Sequence, residues 1–294
     1  MVTVGSILGG TFRFIGDNVR AILAWSAILF VMTLVSMMLM RPLYEAQIAA
    51  LQQAAATPAS PPVGLFLLGL PLGLVVLVML GAAAFRAVLF PEQARFAYLR
   101  LGMDELRLLG TALILIIGFY IAMLVVGIVA GLLFGLLTVL GGSAIVGAVL
   151  MGLVIIGFSA WLMVRFALAG PLTILQRKVV IGPAWRLSRG HFWQLLGAYI
   201  VVMLIAFVAY GVLFTIRMGP AMTDLLHPTD QAAALRIASA QVEGYALTPK
   251  NIVIALVSAV IMGFAHALYA GGLAVTAAQL TDRGGQRRLN EVFE

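Results

Sequence analysis

The sequence predicts an all-α fold, a polytopic membrane helical bundle whose six transmembrane helices form three units of interfacial helix plus hairpin. Three observations predict it. Apolar residues make up 63% of the 294, against about 45–50% in soluble domains. Only 18 basic and 11 acidic side chains are present. Between Arg107 and Arg165 the chain runs 57 residues without an Asp, Glu, Lys or Arg, well past the roughly 20 apolar residues that cross a hydrocarbon core of about 30 Å.

The elements follow in order. Leu8, Phe12, Ile15, Val19 and Ile22 recur at helical spacing with Arg13, Asp17 and Arg20 around the side, the pattern of a helix lying in the headgroups. The first span is expected at 21–40. It is longer than a signal-peptide core and is followed by Arg41-Pro42 rather than a small-residue cleavage site, so it is expected to stay attached. Residues 57–62, rich in proline, read as a stiff outer linker. The second span, 63–85, contains Pro71, which removes a backbone donor and bends a helix. The third and fourth, 108–131 and 144–164, share the uncharged run and need a tight turn, for which Gly141-Gly142-Ser143 is the signal because glycine accepts positive φ. The fifth and sixth are expected at 195–216 and 252–280. Between them a short helix at 230–242 is expected, capped by Thr229 or Asp230 and stopped by Gly244. Thr248-Pro249 then opens the last helix as N-cap and first-turn proline.

Three segments align on an arginine: Phe12-Arg13-Phe14 with Asp17-Asn18-Val19-Arg20, Leu99-Arg100-Leu101 with Asp104-Glu105-Leu106-Arg107, and Trp185-Arg186-Leu187 with Gly190-His191-Phe192. Each precedes an odd-numbered span, which divides one membrane domain, 1–294, into units of about 7–93, 94–179 and 180–281 with a tail at 282–294. Arg86 to Pro91 and Arg165 to Pro171 echo one another at the ends of the second and fourth spans.

Alternate loops carry 14 Lys and Arg against 4, so the positive-inside rule puts both termini, loop 86–107 and loop 165–194 in the cytoplasm. Acidic residues divide seven inside and four outside, which leaves the whole net charge of +7 on the inner face. Such a layer suits anionic lipid headgroups, at about 1 kcal/mol per basic residue near the surface, and not nucleic acid. Trp25, Trp161, Trp185 and Trp193 fall near the inner ends of spans, where amphipathic rings act as anchors.

Residues 182–196, from Gly182-Pro183-Ala184-Trp185-Arg186-Leu187 through Ser188-Arg189-Gly190-His191-Phe192 to Leu196, resemble a bacterial six-span group. That group comprises the membrane domain attached to some glycerophosphodiester phosphodiesterases together with stand-alone relatives. The stretch from Ile7 to Leu23, Arg86 to Pro91 and Phe96 to Leu106 are similar too. The resemblance implies a multi-pass fold of a bacterial inner membrane and supplies no catalytic residues, since in the phosphodiesterases the chemistry belongs to a separate soluble domain.

The totals exclude much chemistry. No cysteine is present, which removes disulfides, thiolate metal sites and Cys nucleophiles, and His191, His227 and His266 are too scattered for a histidine metal site. No cofactor is expected. No carboxylate falls within an expected span, against a proton- or ion-coupled pump. The candidate lipid-headgroup contacts are Arg86, Arg100, Arg165, Arg186 and Arg189. His266 is the titratable group near mid-depth of the sixth span, with Tyr120 and Tyr210 as partners from neighbouring helices, and an ionisable group inside a membrane is a functional candidate. Gly127, Gly131 and Gly135, with Gly69 and Gly73, form small-residue faces suited first to internal packing and second to a homo-oligomer. The leading expectation is a non-enzymatic scaffold or lipid-associated factor. A passive or exchange transporter with a cavity between repeats is the second expectation. An intramembrane lipid-phosphate enzyme using Asp104 and Glu105, the adjacent acidic pair, is the third.

Overall fold

The computed structural model describes residues 2–53, 63–219, 221–226 and 231–281. The linker 57–62, His227, the expected caps at Thr229 and Asp230 and the tail lie outside them. Among the described residues all regular structure is helical, and six helices are long and apolar enough to cross a membrane. The chain is therefore an all-α polytopic bundle.

The helices are α1 (Val4–Asp17), α2 (Val19–Gln53), α3 (Val63–Leu89), α4 (Met103–Val139), α5 (Ala144–Phe166), α6 (Ala169–Gln176), α7 (Gly182–Arg189), α8 (Phe192–Met218), α9 (Ala221–Leu226), α10 (Gln231–Gly244) and α11 (Pro249–Leu280). The spanning helices are α2, α3, α4, α5, α8 and α11. Several outrun the hydrophobic stretches that announced them. α2 continues through Pro42 to Gln53, where Arg41 and Glu45 pair one turn apart at 2.8 Å and Tyr44 stacks on Tyr245, centroids 5.2 Å apart. The expected turn is present: Gly141 takes φ +80 between α4 and α5. Thr248 caps α11 by accepting the Asn251 amide, with Pro249 in the first turn.

α11 is the hub, packed against α1, α2, α3 and α8. Its C-terminal half is a run of small buried residues, Ala267, Ala270, Gly271, Gly272, Ala274 and Ala277, and small residues let helix backbones approach closely in lipid. A Cβ on Gly263 would collide with Ser26 of α2, and one on Gly271 with the Phe14 ring of α1. α1 lies against this hub through Thr11 and Phe14 while Ile7 packs with Val164 of α5 and Leu195 and Ala198 of α8, a buried stripe offset from the expected one that leaves Phe12 outward. Its start meets the end of α11, where Gln279 Nε2 donates to the Ser6 carbonyl at 3.0 Å, as an even number of crossings requires.

Two aligned positions share a backbone break. Asn18, between α1 and α2, has φ −119 and ψ 22, and His191, between α7 and α8, has φ −129 and ψ 21. In the middle unit the preceding segment forms two 3-10 turns, Pro91–Gln93 and Arg95–Tyr98, and the aligned Glu105 sits in the first turn of α4. The α4–α5 hairpin closes on Gly147, where Phe134 and Leu137 occupy the space of a Cβ. Gly127, Gly131 and Gly135 have nothing within 4 Å of that space. The close backbone approach expected of that face is absent at these three positions, although Gly127 stands one turn from Met123, whose sulfur accepts the Ser159 hydroxyl of α5.

Candidate functional site

Two even-numbered spans end on an arginine, and the two ends are built differently. Arg86, near the end of α3, is 1% exposed. It forms an ion pair with Glu105, and Glu105 Oε2 also accepts the Gly102 amide at 2.9 Å, capping α4. Arg86 Nη1 donates to the Tyr98 carbonyl at 2.6 Å. This corrects the expectation that Arg86 reaches lipid headgroups: residues 91–102 fold over it as a strap and bring a carboxylate. Trp25 is corrected with it. Fully buried, it donates its indole N–H to the Ala97 carbonyl at 2.9 Å and does not anchor in the interface.

The strap is strained where those two side chains hold it. Phe96, Ala97 and Tyr98 have φ of 51, 54 and 64, the left-handed region that costs non-glycine residues about 1–2 kcal/mol each. Trp25 and Arg86 satisfy the carbonyls this conformation turns inward, which offsets part of that cost. Phe96 projects outward, 86% exposed. Arg100 is exposed and hydrogen-bonds Gln93, while Arg107 pairs with Asp104 at 2.9 Å.

Arg165, in the last turn of α5, has no such carboxylate among the described residues. Its guanidinium carbon lies 5.7 Å from the Trp161 ring centre, 5.4 Å from that of Trp185 and 5.5 Å from that of Phe192, within the roughly 6 Å of a cation–π contact. Nε and Nη1 are buried with no hydrogen-bond partner among the described residues, and so is Nδ1 of His191. The box has local causes. Trp161 and Arg165 are one turn apart on α5. Trp185 packs edge-on to Trp161 at 5.2 Å, and the Ser188 hydroxyl donates to the Arg165 carbonyl at 3.1 Å, tying α7 to the end of α5. By the arginine alignment, His191 occupies the position of Glu105. Glu105 answers the buried Arg86 with a carboxylate; the aligned position beyond Arg165 is an imidazole, and Arg165 itself lies among aromatic faces. Arg186 and Arg189 lie exposed on α7, and Trp193 is 76% exposed at the start of α8.

At mid-depth the structure brings His266 and Tyr210 together on one cavity of about 500 Å³ between α2, α3, α8 and α11. Tyr120, expected with them, is 70% exposed on α4 and does not line it, because α4 packs on α5 and α6 rather than on α11. Tyr269 and Gly73 join the lining. Tyr269 was legible as the residue one turn beyond His266 on the same helix face. His266 Nε2 is buried with no hydrogen-bond partner among the described residues.

Among the described residues no three His, Asp or Glu side chains gather closely enough to hold a metal. The adjacent acids Asp104 and Glu105 are both held in ion pairs. No family model, curated protein or solved structure matches the chain.

Proposed function

We propose that the chain is a non-enzymatic, lipid-associated protein of a bacterial inner membrane, both termini cytoplasmic, that holds an anionic lipid headgroup at the inner end of α5. One observation carries the reading: Arg165 is a cation with two buried, unpartnered nitrogens and no carboxylate among the described residues, where the corresponding Arg86 has Glu105. A buried charge is costly unless compensated, aromatic faces supply only part of the compensation, and a phosphate oxygen beside Arg165 would complete it. Exposed Arg186 and Arg189 add attraction from the same side, and the resemblance to phosphodiesterase membrane domains agrees with an inner-membrane address. The engagement of Asp104 and Glu105 in ion pairs supports a role without catalysis.

Native mass spectrometry of the full chain released from nanodiscs tests the reading. With equal phosphatidylglycerol and phosphatidylcholine, the anionic lipid is expected to stay bound preferentially, and Arg165→Gln to lower that retention about tenfold while phosphatidylcholine adducts stay constant. Equal retention by wild type and variant removes the assignment. A second reading, a passive carrier, draws on the mid-depth cavity. Single cysteines at Gly73 and Ala206 that label with membrane-impermeant thiol reagents from water would favour it.

A further inference from the structure

The mid-depth cavity has its own chemistry, independent of the headgroup reading. Its mouth lies between α3 and α8, which barely touch each other while both pack on α11. The rim residues Leu77 and Met203 are largely exposed, on a surface that faces hydrocarbon in a six-span bundle. Entry is therefore sideways from the bilayer. A volume of about 500 Å³ falls in the range of small-molecule sites, roughly 300–1,000 Å³, and the lining is aliphatic apart from His266, Tyr210 and Tyr269.

Depth selects the class of head. His266 stands 17 residues after the first and 14 before the last residue of α11, near the middle of a helix about 48 Å long at 1.5 Å per residue, which overhangs a hydrocarbon core of about 30 Å at both ends. Among the described residues no Asp, Glu, Lys or Arg lines the cavity, so a phosphate or ammonium head would be buried there without a counter-charge. The head must be uncharged.

Hydrogen bonding selects further. His266 Nε2 is buried with no hydrogen-bond partner among the described residues. A neutral imidazole carries one N–H and one bare nitrogen. A lipid carbonyl can serve Nε2 only where it bears the proton. A hydroxyl serves it in either tautomer, and can at the same time pair with the phenol of Tyr210 or Tyr269.

We infer that the α2–α3–α8–α11 cavity binds an uncharged lipid alcohol taken from the bilayer, its hydroxyl hydrogen-bonded to His266 Nε2 and its hydrocarbon filling the apolar lining. The test uses the full chain in phosphatidylcholine nanodiscs with a trace of diacylglycerol bearing a diazirine in one acyl chain. Free diacylglycerol is expected to label α3, α8 and α11 peptides at least tenfold more than the same probe with its hydroxyl acetylated. His266→Phe, with an unchanged melting temperature, should erase that ratio. Ala206→Leu, which narrows the cavity without touching the imidazole, should abolish labelling, and it decides the matter should His266→Phe fail to fold. Equal labelling by free and acetylated probes, by a diazirine phosphatidylcholine, or by Ala206→Leu and wild type would overturn the assignment. Loss of anionic-lipid retention in Arg165→Gln with diacylglycerol labelling intact would separate the two sites.

Discussion

Replacing Arg86 by Met and Glu105 by Gln, singly and together, tests whether the C-terminal end of α3 is held by charge. Arg86 is 1% exposed and Glu105 6%, so neither ion can rehydrate when its partner goes. Removing one member of a buried pair costs about 3–5 kcal/mol, chiefly because the other charge is stranded. Arg86→Met strands a carboxylate that retains only the Gly102 amide. Glu105→Gln strands a guanidinium that retains only the Tyr98 carbonyl. The double variant strands neither charge. The side-chain amide oxygen that Glu105→Gln introduces can still accept the Gly102 N–H, and the remaining loss is one bond to the Tyr98 carbonyl, about 1–3 kcal/mol for an acceptor left unsatisfied. The double variant is therefore expected to be more stable than either single one, with a coupling energy above about 3 kcal/mol, the lower bound for stranding one buried charge. Reversible unfolding in mixed micelles, followed by circular dichroism, measures it. Single-variant losses that add within about 0.5 kcal/mol, the behaviour of independent sites, would refute the account of this pair.

Further outcomes follow from the same geometry. Trp25→Phe keeps an aromatic ring but leaves the Ala97 carbonyl without its donor and a space where the larger, fully buried indole was, and should cost at least about 1–3 kcal/mol in the same unfolding experiment. Ala97→Gly relieves a φ of 54 and should stabilise by about 1 kcal/mol; a fall in melting temperature would count against strain in the strap. Gly263→Leu drives a side chain into Ser26 and should lose about 1–3 kcal/mol or more through overpacking, whereas Gly131→Leu, where an added Cβ meets nothing, should leave the monomer's melting temperature unchanged. Between α8 and α11, hydrogen bonds from Arg236 to both oxygens of Asp224, each 2.8 Å, hold that carboxyl below its ordinary value. Its contribution is complete above about pH 3.9, the ordinary aspartate value, and is lost as the pH falls through the lowered one. Carboxyl ¹³C titration should place its midpoint below about 3.9 and, in Arg236→Gln, return it there.

Much of the fold was legible because hydrophobic length and punctuation are local. The uncharged run of 57 residues had to be two crossings, and Gly141 supplied the turn between them. Thr248-Pro249 marked the start of α11 by cap chemistry alone. The choice of neighbours was not legible. Glycine spacing pointed to Gly127, Gly131 and Gly135, where an added Cβ meets nothing, while close approaches fall at single glycines such as Gly147 and Gly170 and along α11 at Gly263 and Gly271, whose four-residue register is completed by the buried alanines Ala255, Ala259 and Ala267 and so escaped a count of glycines alone. Spacing records which side of a helix is small; whether another helix lies there depends on residues far away in sequence.

The same limit explains the two arginines. By position, Arg86 and Arg165 are equivalent, each closing an even-numbered span ahead of a Pro-containing segment, and snorkelling to the headgroups is the natural reading for both. What separates them arrives from 19 residues on in one case and 26 in the other: Glu105 in the first turn of α4, His191 at the break before α8. A carboxylate turns an interfacial arginine inward and makes it a fastening for the strap. An imidazole in its place leaves the guanidinium among three rings with its charge uncompensated by any described residue. Placing a carboxylate at the third unit's position should therefore convert one kind of end into the other. His191→Glu is expected to stabilise the chain in detergent while abolishing any preference for anionic lipid, and a variant that kept that preference would show that Arg165 does not carry it.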